Sequence, residues 1–323
     1  MKIVCVQSPL YDYLTATVIE GLLELGHDVI SSEDSNYGVR ASDRRIKIAA
    51  ENAELIIVFS NKNVRSRLLD GIDNDNKVFV DGSDFQEFGV DPSRLYKAIF
   101  KRELNLVCEG ERAVFPLPFA AERRYFKGDG RIRDLLLSFA ANLKTNPLRN
   151  SIQQRLLNRC RSDIFAGSTG ECAYAKGIGR PVETPAYREL LFRSKVGVNV
   201  AGAGYDCGRY WEILASGAML LTQELDIKIP NPFVDGESCI VFKSLDDFDQ
   251  KVDQILSRSI DVSEIAHQAT KHLLNYHTSR HRAQYLLNCV ASIPKDQPPC
   301  LQFYVPKKKN GVCGRIFNRM FFK

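Results

Sequence analysis

Between Val196 and Leu221 an apolar run, three glycines, an arginine and a glutamate follow one another in an order suited to holding a ligand. Gly202, Gly204 and Gly208, with Tyr205 and Asp206 among them, make a loop whose backbone can approach a guest closely. A helix beginning near Gly208 would aim unpaired amides and its positive dipole end at that guest, so an anion is the natural occupant. Arg209 adds a fixed positive charge in the first turn. Glu212, three residues on and on the same face, can accept two hydrogen bonds from a pair of neighbouring hydroxyls. A ribose attached to a diphosphate offers that combination. The plainer account, in which glycines make turns and Glu212 serves the helix dipole, stands beside it at this level. A dinucleotide fingerprint fits less well, because the third glycine falls one residue late and the first apolar run leads into Gln7, Ser8 and Pro9 without a glycine.

Other acids and bases carry weaker signals. Asp81 and Asp84 flank Gly82 and Ser83 at the end of an apolar run, where open α/β sheets place ligands, so either is a candidate general base. Asp-Gly-Ser-Asp also makes turns. Two Asp-x-Asp pairs, Asp73 with Asp75 and Asp247 with Asp249, read as solvated acids in a polar turn and at a helix start rather than as metal ligands. His27, His277 and His281 sit at turns or helix starts and are given no chemical role.

The elements that would position these groups alternate. Apolar runs at residues 2–6, 28–30, 55–59 and 78–80 read as strands, and 14–25, 44–50 and 64–69 as helices. A helix over 92–101 and a strand over 104–107 complete the first unit. Residues 113–129, with Pro116, Pro118 and polar residues, read as a linker. A second unit follows, with strands at 135–140, 196–200 and 239–242, helices over 147–159 and up to Arg193, a helix and strand within 210–221, and closing helices through 252–256, 265–274 and 282–290. Alternation of this kind implies α/β architecture with a parallel sheet in each half, both faces covered.

The 323 residues are 44% hydrophobic and 26% charged, enough to bury one large core or two medium ones. The net charge of +5 is concentrated in 307–323, which holds six basic residues and no acid; without those six, 38 basic residues face 39 acidic ones. A nearly neutral body argues against nucleic acid as the partner. Nine scattered cysteines, with no Cys-x-x-Cys pair, point to free thiols and an intracellular setting. The first apolar run is too short for a signal-peptide core, and no stretch approaches about 18 apolar residues. A helical 307–323 would be basic on one side and apolar on the other, fit for an anionic membrane surface; disorder or packing on the body are equal alternatives.

The stretch from Phe192 to Met219 resembles the donor-site motif of group-one-like glycosyltransferases with the GT-B fold, nearest to the spore-maturation-protein-like and exostosin-like branches. Residues 81–84, 96–103, 116–119 and 277–282 resemble segments of those proteins in the same order. The resemblance implies two tandem Rossmann-like domains facing a cleft: an acceptor domain over 1–118, a nucleotide-sugar domain with closing helices over 119–299, and a basic amphipathic tail over 300–323. It implies a nucleotide-sugar as substrate, no cofactor or metal, and a glycan, lipid-linked or protein acceptor in the cytoplasm, in cell-surface polysaccharide synthesis. Glu212 would hold ribose hydroxyls, Arg209 and the backbone of Gly202 to Gly208 would lie by the diphosphate, and Lys144 and Arg149 match basic phosphate contacts. One departure stands out: many relatives carry a second glutamate eight positions before Glu212, and here that place is Gly204. The alternatives are an inactive nucleotide-sugar or glycan-binding relative and a nucleotide-sugar epimerase.

Overall fold

The structure, a computed structural model, describes residues 1–34, 37–60, 66–86, 96–105, 113–126, 132–169 and 185–294. The first sheet contains β1 (Lys2–Val6), β2 (Asp28–Ser31), β3 (Leu55–Ser60), β4 (Lys77–Asp81), β5 (Ala98–Lys101) and β6 (Val114–Pro116). Its order is β2-β1-β3-β4-β5-β6, all parallel. Runs such as Leu55 to Phe59 are buried throughout, as a strand covered on both faces requires. Helices α1 (Tyr13–Glu24) and α2 (Asp43–Glu51) flank it, their N-termini capped by the side chains of Asp12 and Ser42.

The second sheet repeats the winding with β7 (Leu135–Ala141), β8 (Ile164–Ser168), β9 (Ser194–Asn199), β10 (Met219–Gln223) and β11 (Ile240–Phe242), in the order β11-β10-β9-β7-β8, again parallel. Its helices are α3 (Pro147–Leu157), α4 (Pro185–Arg193), α5 (Gly208–Ala215), α6 (Leu245–Leu256), α7 (Val262–Tyr276) and α8 (Ser279–Ala291). In each sheet the strand order reverses beside the first strand of the unit, at β1/β3 and at β7/β9. Such reversals open a crevice at the carboxyl ends of the strands. The loops after β7 and β9 carry Lys144 and Gly202 to Gly208, so the candidate residues stand at the second crevice.

The closing helices do not all stay with the second half. α8 returns to lie on α1, so closely that a side chain at Gly21 would stand 2.5 Å from the carbonyl carbon of Ser279. Ala121 donates its amide to His277 O (2.9 Å), and Arg282 donates to Phe119 O (2.9 Å). One apolar cluster therefore runs from Leu14, Val18 and Leu22 of α1 through Trp211 of α5 to Leu286 of α8.

Several expected elements differ. The helix expected over 92–101 is, in its described part, the strand β5: Ala98 to Phe100 are buried on both faces, which removes the alternation that marks a strand. Leu104 and Asn105 are loop, and 106–107 lie outside the described residues. Within the expected linker, Val114 to Pro116 pair with β5 as the sixth strand, and Arg123 to Tyr125 form a single 3-10 turn. Ser66 to Leu69 form another such turn in place of a helix. β8, a partly exposed edge strand with Gly167, was not expected. Residues 307–323 lie outside the described residues.

Candidate functional site

β9 delivers its chain into the loop at Val200, and α5 leaves it at Gly208. Gly197 lets the two elements touch, since a Cβ there would lie 2.6 Å from Ile213 Cγ1. Tyr210, Trp211, Ile213 and Leu214 bury one side of α5. Cys207, in extended conformation, precedes the helix and makes no side-chain capping bond to its N-terminus. Tyr210 of that first turn bonds its amide to Cys207 O (3.0 Å), and the dipole end with the amides ahead of it can face a ligand.

Arg209 turns back toward β7. Its Nε donates to Ala140 O (2.7 Å), its guanidinium lies 5.9 Å from the Phe139 ring centre, and its Nη1 is buried with no hydrogen-bond partner among the described residues. A buried guanidinium nitrogen without an acceptor is costly and asks for one. Glu212 is buried on the same flank. Tyr187 donates its hydroxyl to Glu212 Oε2 at 2.7 Å, and Tyr125 also hydrogen-bonds this carboxylate. Burial pushes the Glu212 carboxyl above the usual range, while the two phenols and Arg209 hold it down. Tyr13 of α1 completes the wall, its ring 3.7 Å from where a side chain at Gly208 would begin and its hydroxyl buried without a partner among the described residues.

Arg149 is committed to the backbone. Its Nε donates to Ala201 O (2.9 Å), Nη2 to Val200 O (3.0 Å), and Nη1 to Asn142 O (3.0 Å) and Thr145 Oγ1 (2.7 Å). It ties the loop after β7 to the loop after β9, and sits close enough that a Cβ on Gly202 would lie 3.1 Å from Nη2. Burial lowers its pKa to about 10, helped by Arg209. Arg149 thus shapes the site with its positive charge and its staple. Lys144 stands exposed on the same loop, its amide bonded to Asn142 Oδ1 (3.0 Å).

The other flank of the loop faces the first domain. Glu103, one percent exposed, accepts the amides of Tyr205 (2.9 Å) and Asp206 (3.0 Å). Arg102 donates to Asp206 O (3.1 Å) and Asp84 Oδ1 (2.5 Å), and lies 3.3 Å from Glu103 Oε1. The Asp206 carboxylate accepts from Phe119 N (2.6 Å) and Trp211 Nε1 (2.8 Å). Tyr205 and Asp206 are therefore placed at the junction of the domains, just before the α5 terminus and turned toward the first domain. Asp81 is buried and receives Lys101 Nζ at 2.8 Å, whereas the Asp84 side chain keeps about a third (35%) of its surface exposed. A cavity of about 610 Å³ opens between Pro116, Tyr210, Phe233, Lys243 and Tyr285, and none of the candidate residues lines it.

Of the residues expected, the fold brings Gly208, Arg209 and Glu212 to one flank with Gly202 and Arg149 bracing it, and Tyr205, Asp206 and Gly204 to the other. Tyr13, Tyr187, Arg102 and Glu103 were not singled out. The last two had a signal: opposite charges directly after an apolar strand, at its carboxyl end.

Residues 144–288 match a family model described as glycosyl transferase-like. A search of curated proteins gives no match. Among solved structures, HepE from Anabaena in complex with UDP-glucose is similar with a TM-score of 0.59 at 11% identity, over 90% of this chain and 100% of that one. A glycosyltransferase from Rickettsia africae gives 0.58 at 10% identity, over 92% and 99%. The DNA-modifying enzyme beta-glucosyltransferase gives 0.53 at 11% identity, over 90% and 99%. Two parallel sheets wound alike give the chain the fold of these solved glycosyltransferases, and its residues 144–288 match the glycosyl transferase-like model.

Proposed function

We propose that this enzyme transfers a sugar from a nucleoside diphosphate donor to an acceptor hydroxyl without a metal ion. The observation that carries this reading is the uncapped N-terminus of α5 beside the unpartnered Nη1 of Arg209, with Glu212 one turn on. The diphosphate lies against that terminus and Arg209, and Glu212 exchanges its phenol partners for ribose hydroxyls. As the bond to the sugar breaks, negative charge grows on the departing phosphate oxygen. A preorganised guanidinium and helix amides stabilise it most effectively where water is excluded, each contributing on the order of a few kcal/mol.

The Asp-x-Asp pairs fit a metal poorly. Asp249 pairs with Arg155 and Arg159, and Asp247 accepts the Lys243 amide at 2.9 Å. Asp73 and Asp75 lie in the turn before β4, away from both crevices. Asp84, just past β4, pairs with Arg102 but keeps 35% of its side chain exposed, which favours it over the buried Asp81, held by Lys101, as the carboxylate that takes the acceptor proton. HepE structures contain UDP and UDP-glucose, which makes uridine the first nucleotide to try.

The deciding experiment is calorimetric binding of a panel of nucleotide-sugars, led by UDP-glucose, to wild type and Glu212→Ala, followed by assay of released nucleoside diphosphate. Loss of one charge-assisted contact weakens donor binding by about 1.5–3 kcal/mol. Equal affinity in both proteins removes Glu212 from the site, and binding without release under any acceptor removes the transferase reading.

A further inference from the structure

We propose that Glu103 is a positioning residue of the donor loop: a carboxylate supplied by the first domain that sets the backbone of residues 204–206, with Gly204 a glycine in order to admit it. The functional half of this proposal rests on the donor reading above.

Gly204 has no conformational need to be glycine, because its φ lies outside the positive range in which Gly26, Gly217 and Gly236 are found. What excludes a side chain there is the other domain. A Cβ at 204 would stand 2.8 Å from Glu103 Cδ, nearer still to its Oε1, and 3.2 Å from Arg102 Nη2. The space beside Gly204 is therefore filled by a carboxylate that arrives from one hundred residues away.

That carboxylate bonds two successive amides, those of the half-buried Tyr205 and the buried Asp206, and a buried amide needs such an acceptor. Arg102 fixes the same segment through Asp206 O, and Asp206 in turn holds Trp211 of α5. The loop is thus set two residues before the α5 N-terminus. A simple domain contact would not need a buried charge, since apolar packing serves that end with less desolvation. The amides of Tyr205 and Asp206 belong to Glu103, and the diphosphate is left with the first turn of α5.

The test is a carboxylate transplant, read by amide hydrogen exchange at Tyr205 and Asp206 and by calorimetric affinity for UDP and UDP-glucose. Glu103→Ala exposes both amides and weakens UDP by about tenfold, and Glu103→Gln, which keeps one acceptor oxygen, falls between. Gly204→Asp alone collides with Glu103 and weakens UDP to a similar extent. Combined, the two substitutions restore protection of Asp206 and bring UDP affinity to within about threefold of wild type, because the introduced carboxylate reaches the amide two residues on as in an Asx turn. Losses that merely multiply overturn the proposal, as does unchanged exchange in Glu103→Ala. If exchange follows the expected pattern but UDP affinity is the same in wild type and all four variants, positioning is overturned and the donor reading survives. If wild type binds neither probe, the donor reading falls and its positioning claim with it, while exchange still reports the clamp.

Discussion

Tyr187 of α4 donates its hydroxyl to Glu212 Oε2 of α5 at 2.7 Å, so the carboxylate expected to hold a ribose is held in this structure by a phenol. The two states compete for one acceptor. Tyr187→Phe therefore separates stability from binding: losing a hydrogen bond to a buried carboxylate lowers folding stability by about 2 kcal/mol, while donor affinity rises. Urea unfolding and calorimetry with UDP-glucose check the pair, and a fall in affinity would assign Tyr187 to the donor instead.

Asp81 and Asp84 differ in what their removal should do. Asp81→Ala removes the counter-charge of the fully buried Lys101 ammonium, leaving Ser83 Oγ beside it, and costs about 3–5 kcal/mol of stability. Asp84→Asn keeps a partner for Arg102 at a partly exposed site, so the melting temperature holds while kcat falls by about 10²–10⁴-fold, the usual contribution of a general base. Melting curves and transfer rates on the two variants check this assignment. The reverse pattern would return the base role to Asp81.

Eight of the eleven strands, β1 to β4, β7 and β9 to β11, and the α5 loop were legible because apolar runs and glycines are local signals. That Arg209 and Glu212 share one flank of α5 was legible for the same reason, as they lie three residues apart on one helix. The partners of Glu212 were not: Tyr187, Tyr125 and Tyr13 come from three separate segments, and a phenol carries no local mark of its use. Arg149 was read as a phosphate contact from its place after β7, but four carbonyl and hydroxyl oxygens take its nitrogens, a fact set by how β9 packs beside β7. β5 was misread because burial on both faces erases periodicity. The return of α8 to α1 leaves only one trace, the glycine at 21.

That glycine makes a prediction about domain coupling. Gly21→Ala drives a methyl into the Ser279 carbonyl, a backbone atom that cannot step aside, and should cost about 3 kcal/mol. Because α8 spans both halves of the cluster from Leu14 to Leu286, the loss appears as one lowered transition rather than as an early melting of one domain. Calorimetry distinguishes these. Two resolved transitions would mean that α8 does not join the halves.

Acidity tests the junction from another side. Burial pushes the carboxyls of Glu103 and Glu122 up from 4.5 to about 7, against the pull of Arg102 on the first and of Arg124 and Tyr11 on the second. A carboxyl with a raised native pKa binds more protons folded than unfolded between the two values. Its contribution to stability is full below about 4.5 and is lost as pH rises through 7. His277 acts in the opposite sense: burial, then Arg282, pushes it down from 6.5 to about 2, so its neutral native form loses stability as pH falls below 6.5. The overall profile mixes both, and the difference between wild type and variant isolates one. Glu103→Gln removes a titrating group, so its stability relative to wild type improves steadily from pH 4.5 to pH 7 and levels off above. Paired melts of the two proteins across that range check the sign. A relative stability that worsens with rising pH would mean that Arg102 outweighs desolvation and that Glu103 is ionised throughout.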